Sequence, residues 1–296
     1  MNIIGATTTW NSIEIIEKFL KHYKKLGLKQ LLVMDFHSVD GTLDILTSDA
    51  WSDFVRLVPF PGIAHLDSSN IFLSLAKELY PAGTMCLFCD PDEFLITPSM
   101  QIREAVWTSS ANRMGTCIIP RFNMTASLEA AESHQDELTP FGALELRIDN
   151  RAKRSFSTDM NKEVLDPPWI FTAIPGKVLV RLEETTFIGD GDHQADCNQG
   201  ESGPAHEGVY LLHYPFRTWE EFRNKIEMAK IDMGTNTYLP DSYGWQIRRW
   251  IRLSHESRLY NEYLKQFIEQ PKLAKYLADG TLCVDKNVQI FNDSDS

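Results

Sequence analysis

The chain of 296 residues carries 41 acidic and 29 basic side chains, a net charge of −12, with 43% hydrophobic and 24% charged residues. That composition is globular and excludes wholesale disorder. The negative balance argues against a nucleic-acid binder, whose affinity comes from clustered Lys and Arg. No apolar run approaches the roughly 20 residues that span a bilayer. Met1-Asn2-Ile3-Ile4-Gly5 lacks the start of a secretion signal, and five scattered cysteines (86, 89, 117, 197 and 283) suit reduced thiols, so a cytoplasmic protein is expected.

Residues 3–8 are short, β-branched and apolar, which predicts a buried strand. Asn11 with Glu14 three residues on resembles a capping box, and Ile13, Ile16, Phe19, Leu20 and Tyr23 recur at helical spacing up to Gly27. Residues 31–34 predict a second strand, 43–46 a short helix, 54–58 a third strand and 67–79 a helix. Residues 85–89 are continuously apolar, as a strand buried on both faces is, and end in Asp90-Pro91-Asp92-Glu93. This alternation predicts an α/β fold with a mostly parallel central sheet flanked by helices. Further strands are expected at 116–120, 143–148, 177–182 and 209–213. Residues 189–208 hold five glycines and predict a long lid-like loop. Thr218 with Glu221 reads as a second capping box, and one or two helices are expected over 243–278. The division expected is a main domain, 1–240, and a helical extension, 241–296, ending in a frayed tail.

In open α/β sheets ligands bind beyond the carboxyl ends of the strands. Three polar clusters fall at such ends: Thr8 to Asn11, Asp35 with Asp40, and Asp90 with Asp92. Two carboxylates two residues apart, stiffened by Pro91, suit a hard divalent cation that bridges to substrate phosphates.

The ordered set Thr8-Thr9-Trp10-Asn11, Val33-Met34-Asp35-Phe36-His37-Ser38-Val39-Asp40-Gly41-Thr42, Asp90-Pro91-Asp92-Glu93-Phe94 and His213-Tyr214-Pro215-Phe216-Arg217 resembles family 2-type glycosyltransferases over about residues 3–230. The resemblance implies the GT-A fold. It also implies transfer of a sugar from a nucleotide-diphosphate donor, UDP-linked in the favoured case, to an acceptor hydroxyl, with a divalent metal (Mn2+ or Mg2+) and inversion. Position by position, it puts Asp35 on the nucleobase and Asp40 in the acidic turn after it. It puts Asp90 near ribose and metal, Asp92 on the metal, and His213 as a further metal ligand. Thr8 and Asn11 fall in its donor-binding segment. Arg217 and Lys225 would balance diphosphate charge.

The inverting base is expected at Asp192 or His193, with Asp136 and Glu137 as other candidates. A sugar-phosphate nucleotidyltransferase would need a Gly-rich basic loop after the first strand, where Thr7-Thr8-Thr9-Trp10 stands. A catalytically silent carbohydrate-binding relative is the alternative outside enzymes.

Overall fold

The computed structural model describes residues 1–61, 68–107, 115–133, 144–153, 159–198, 203–205, 207–235 and 244–288. The strands in chain order are β1 (Ile3–Thr9), β2 (Leu31–Asp35), β3 (Val55–Leu57), β4 (Met85–Phe88), β5 (Glu93–Ile96), β6 (Thr116–Ile119), β7 (Arg121–Thr125), β8 (Leu146–Ile148), β9 (Lys177–Arg181), β10 (Thr185–Ile188), β11 (Ala195–Cys197), β12 (Gly203–Pro204), β13 (Tyr210–His213) and β14 (Leu282–Val284). Three helices shape the rim of the main sheet: α1 (Ile13–Lys25), α2 (Thr42–Thr47) and α3 (Ser68–Leu79). Among the described residues no helix is long and apolar enough to cross a membrane.

Two compact units emerge, residues 1–121 with 175–213, and residues 122–174 with 214–296. The first is built on a seven-stranded sheet in the order β12-β6-β9-β4-β1-β2-β3. β3, β2, β1 and β4 run parallel, and β9 joins β4 antiparallel. This is the expected α/β fold with a mostly parallel central sheet. The chain moves outward from β1 to β3, then returns to the other side of β1 for β4. Right-handed crossovers therefore put α1 and α3 on opposite faces and leave a topological switch point between β1 and β4.

Alternation of side chains decides which face meets which helix. Ile4, Ala6, Leu32, Met34, Cys86, Phe88, Val178 and Val180 form one buried cluster with Phe72, Leu73 and Ala76 of α3. On the other face Gly5 is closely covered: a Cβ there would lie 2.7 Å from Leu31 Cδ1. Phe19, Leu20 and Tyr23 of α1 are fully buried, and Phe19 packs edge-on against Phe94 of β5. The Tyr23 hydroxyl donates to Glu93 O at 3.0 Å and accepts from Leu95 N at 3.2 Å, so α1 fixes the backbone where β5 begins.

Several boundaries depart from expectation. Asn11 is not the cap of α1. It lies at φ +44°, its side-chain oxygen accepts from Val39 N at 2.8 Å, and the helix starts at Ile13 behind Ser12. Residues 189–208 are not one unstructured loop. Over the described part, Asp190–Asp192 form a 3-10 turn closing the β10–β11 hairpin, and β12 pairs with β6.

In the second unit, β7, β8 and β14 pair antiparallel. The expected 243–278 region comprises three helices, Trp245–His255, Leu259–Leu264 and Gln270–Ala278. Ser257 at φ +58° breaks the first junction, and a proline in the first turn opens the last helix. The capping box at Thr218 is present in both halves, Glu221 N to Thr218 Oγ1 at 3.2 Å and Thr218 N to Glu221 Oε2 at 3.3 Å.

Candidate active site

Strand register brings the polar clusters to one rim. Ala6 pairs with Phe88, and Thr9 pairs with Asp35. Thr8, at the end of β1, is therefore level with Asp90 and one step from Asp35, on either side of the switch point. The acidic turn closes on itself: Asp90 N–H donates to Glu93 Oε2 at 2.9 Å, and Glu93 N–H to Asp90 O at 3.0 Å.

β13 pairs antiparallel with β5, so His213 lies directly opposite Glu93 and their side chains share a face. His213 Nε2 is 3.7 Å from Asp92 Oδ2. One donor atom from each of Asp92, Glu93 and His213 falls within 4.8 Å of the others. Asp90 is not in that group. Carboxylate oxygens with one imidazole suit a hard divalent cation that keeps water and phosphate in its remaining positions. Both Glu93 oxygens already have partners, Oε1 the Arg121 guanidinium and Oε2 the Asp90 N–H.

Beneath this rim lies a buried charge cluster. Lys177 opens β9 with its side chain only 2% exposed, and its Nζ is 2.9 Å from Asp90 Oδ2 and 3.3 Å from Asp192 Oδ2. It also donates to Gly191 O at 3.0 Å, so each of its three hydrogens has an acceptor. Arg121 pairs with Glu93 and donates Nε–H to Pro175 O at 3.1 Å. Two cations thus face four carboxyl groups, Asp90, Asp92, Glu93 and Asp192.

Protonation is set by that balance. Burial alone would raise Asp90, but Lys177 and then Arg121 hold it well below the usual carboxylate range. Its side chain is 42% exposed on the outer edge, which tempers both effects. Burial pushes Glu93 up to about 7 against the pull of Lys177 and Arg121. Burial also raises Asp192, opposed by Lys177. Burial would lower Lys177, yet Asp90, Glu93 and Asp192 together raise it above its ordinary value.

The two expected base candidates sit differently. Asp192 accepts from Ser69 Oγ of α3 and pairs with Lys177, so its carboxylate is committed. His193 Nδ1 lies 2.8 Å from Gly176 O. With the ring proton donated there, Nε2 keeps its lone pair. Burial, reinforced by Arg121 and Lys177, lowers His193 to about 4, so the ring is neutral near pH 7. Gly191, at φ +67°, makes room for it: a Cβ there would lie 2.8 Å from His193 Nε2.

The other residues expected at the site are held in several ways. Asp35 accepts from Ser38 N at 2.8 Å and from Ser38 Oγ. Asp40 accepts from Ile13 N and Thr42 N, each at 3.0 Å, and so caps both α1 and α2. Thr8 is partly exposed. Arg217 and Lys225 belong to the second unit. Arg217 forms an ion pair with Glu221, and Lys225 is exposed on the helix Trp219–Thr235. Asp136 and Glu137 lie outside the described residues. Sequence reasoning missed Lys177, Arg121 and Ser69, and took Glu93 only as a flank of the acidic pair. The one local signal for Lys177 is a charge opening the otherwise apolar run Lys177-Val178-Leu179-Val180.

No family model and no curated protein matches the chain. Among solved structures it is similar to S. aureus TarS 1–349. The match has 13% identity and a TM-score of 0.42, covering 95% of this chain and 74% of that one. Against the same fragment in complex with UDP, identity is 14%, the TM-score 0.44 and coverage 94% and 78%. For its complex with UDP-GlcNAc the values are 13%, 0.45, 98% and 84%. A likeness this distant carries no functional argument, which leaves the chain's own residues to carry one.

Proposed function

We propose that the chain is a glycosyltransferase of GT-A type that takes its sugar from a nucleotide-diphosphate donor with the help of a divalent metal. One observation carries this reading. Asp92 and His213 meet at the carboxyl-end rim of a parallel sheet, beside its topological switch point, where an α/β fold binds its ligand. A divalent cation held by Asp92 and His213 supplies charge neutralisation for a departing diphosphate. In this reading the outer edge of Asp90 accepts a donor hydroxyl and Asp35 takes the nucleobase, with Thr8 and Asn11 on the same side. Of the two base candidates, His193 fits the acceptor hydroxyl better, because Nδ1 is spent on Gly176 O and Asp192 is spent on Lys177 and Ser69. Base-assisted attack opposite the leaving group gives inversion.

Titration calorimetry with UDP, with and without Mn2+, tests the reading. Metal-dependent UDP binding by the wild type is expected, and its loss in Asp92→Asn with an unchanged circular dichroism spectrum. UDP binding indifferent to metal in the wild type, or unaltered in Asp92→Asn, defeats the metal assignment. No nucleotide binding at all leaves a carbohydrate-binding protein.

A further inference from the structure

We propose that Lys177 is a positioning residue that withdraws Asp90 from the metal, so that Asp92 alone serves the cation from the Asp-x-Asp turn. This role rests on the metal-dependent reading and goes beyond it.

The geometry is specific. In the β4–β9 ladder Leu87 pairs with Leu179, so Lys177 lies level with residue 89, directly under the turn after β4. There its ammonium contacts Asp90 Oδ2 at 2.9 Å, Gly191 O at 3.0 Å and Asp192 Oδ2 at 3.3 Å. A cation drawing on Asp90 would have to share this carboxylate with a buried ammonium that has no water to fall back on. Repulsion between the two positive charges then opposes binding through Asp90. The group of donors within 4.8 Å reflects this division, since it contains Asp92, Glu93 and His213 and omits Asp90. Paired with Lys177, Asp90 keeps one exposed edge, which suits a neutral hydroxyl better than a metal. The same ammonium ties the 3-10 turn at Gly191 and Asp192 to the acidic turn, and so sets His193 beside it.

The test is Mn2+ titration, followed by electron paramagnetic resonance, of the full chain and four variants. Asp90→Asn is expected to bind Mn2+ within about twofold of wild type, whereas Asp92→Asn loses binding. Lys177→Met frees Asp90 and is expected to bind Mn2+ about tenfold more tightly. Adding Asp90→Asn to Lys177→Met restores the wild-type affinity, which identifies the freed carboxylate as the cause. Mere loss of structure would weaken binding and cannot produce this tightening. Equal loss in Asp90→Asn and Asp92→Asn overturns the inference, as does unchanged or weaker binding in a folded Lys177→Met. If Lys177→Met does not fold, the Asp90→Asn and Asp92→Asn pair decides. Wild-type protein that binds no Mn2+ even with UDP present overturns the metal-dependent reading itself, and the inference with it.

Discussion

Asp40 shows how a residue matched by motif can be held by local structure. Its carboxylate accepts from Ile13 N and Thr42 N, each at 3.0 Å, and from Thr42 Oγ1 at 2.6 Å. Ile13 N and Thr42 N are amide groups at the starts of α1 and α2, which helical bonding leaves without partners. Thr42 Oγ1 in turn accepts from Ser12 N at 2.8 Å, so the two helix starts share one small network. Asp40→Ala is expected to lower stability by about 1–2 kcal/mol, read from the midpoint of urea unfolding at constant m-value. A midpoint within error of wild type would show the two caps to be replaceable by water. Asp35 is also engaged locally, through Ser38, but a carboxylate has acceptor sites beyond those two bonds. The Asp35 and Asp40 pair was legible in the sequence as acids after a strand. What each binds is set by the turn between them.

At the scale of elements, the β10–β11 hairpin separates composition from conformation. Five glycines over 189–208 suggest looseness, yet the described part is pinned from α3. Asn70 Nδ2 donates to Ile188 O and Ile188 N donates to Asn70 Oδ1, each at 2.9 Å. Ser69 holds Asp192, Gly189 N donates to Gln194 O at 2.9 Å, and Asp192 N donates to Gly189 O at 3.1 Å. Gly191 answers a steric demand, a positive φ beside the His193 ring. The amides of Ile188, Gly189 and Asp192 are therefore expected to exchange slowly with deuterium in the ligand-free protein. Rapid exchange there, slowed only by UDP and Mn2+, would restore the lid. The long apolar runs of β1, β2, β4 and β9 were legible because continuous burial leaves a pattern. β5, β10 and β11 were not: three or four residues carry too little periodicity, and β5 comes after the acidic turn without a break. Lys177 and Arg121 escaped for another reason. Lys177 reaches Asp90 because β9 pairs antiparallel with β4, and Arg121 reaches Glu93 28 residues away, and the sequence around either residue does not name these partners.

For the molecule as a whole, buried titrating groups couple the stability of the first unit to pH. His22, fully buried on α1 with Nε2 2.9 Å from Leu95 O, is lowered by burial to about 4. His193 is lowered to about 4 as well. Each stays neutral in the fold while its unfolded counterpart, with a value near 6.5, takes up a proton as pH falls. Their contribution is therefore complete above about pH 6.5 and is lost progressively between 6.5 and 4. Glu93 works in the opposite direction: raised to about 7, it holds a proton in the fold that the unfolded chain releases above about 4.5, so its contribution fades as pH rises to 7. Each histidine leaves the unfolded state binding one more proton than the native state between about pH 4.5 and 6.5, while Glu93 and the likewise raised Asp192 oppose it. Each histidine therefore makes stability rise with pH there by about 1.4 kcal/mol per unit. His22→Gln keeps a donor for Leu95 O and removes one of those protons, so the slope of stability against pH should fall by about 1.4 kcal/mol per unit in the metal-free protein. Hydrogen exchange of the β1, β2 and β4 amides at several pH values reads this unit without interference from the other. A slope in His22→Gln equal to that of the wild type would mean that His22 is protonated in the fold, and that burial between α1 and β5 does not keep its ring neutral.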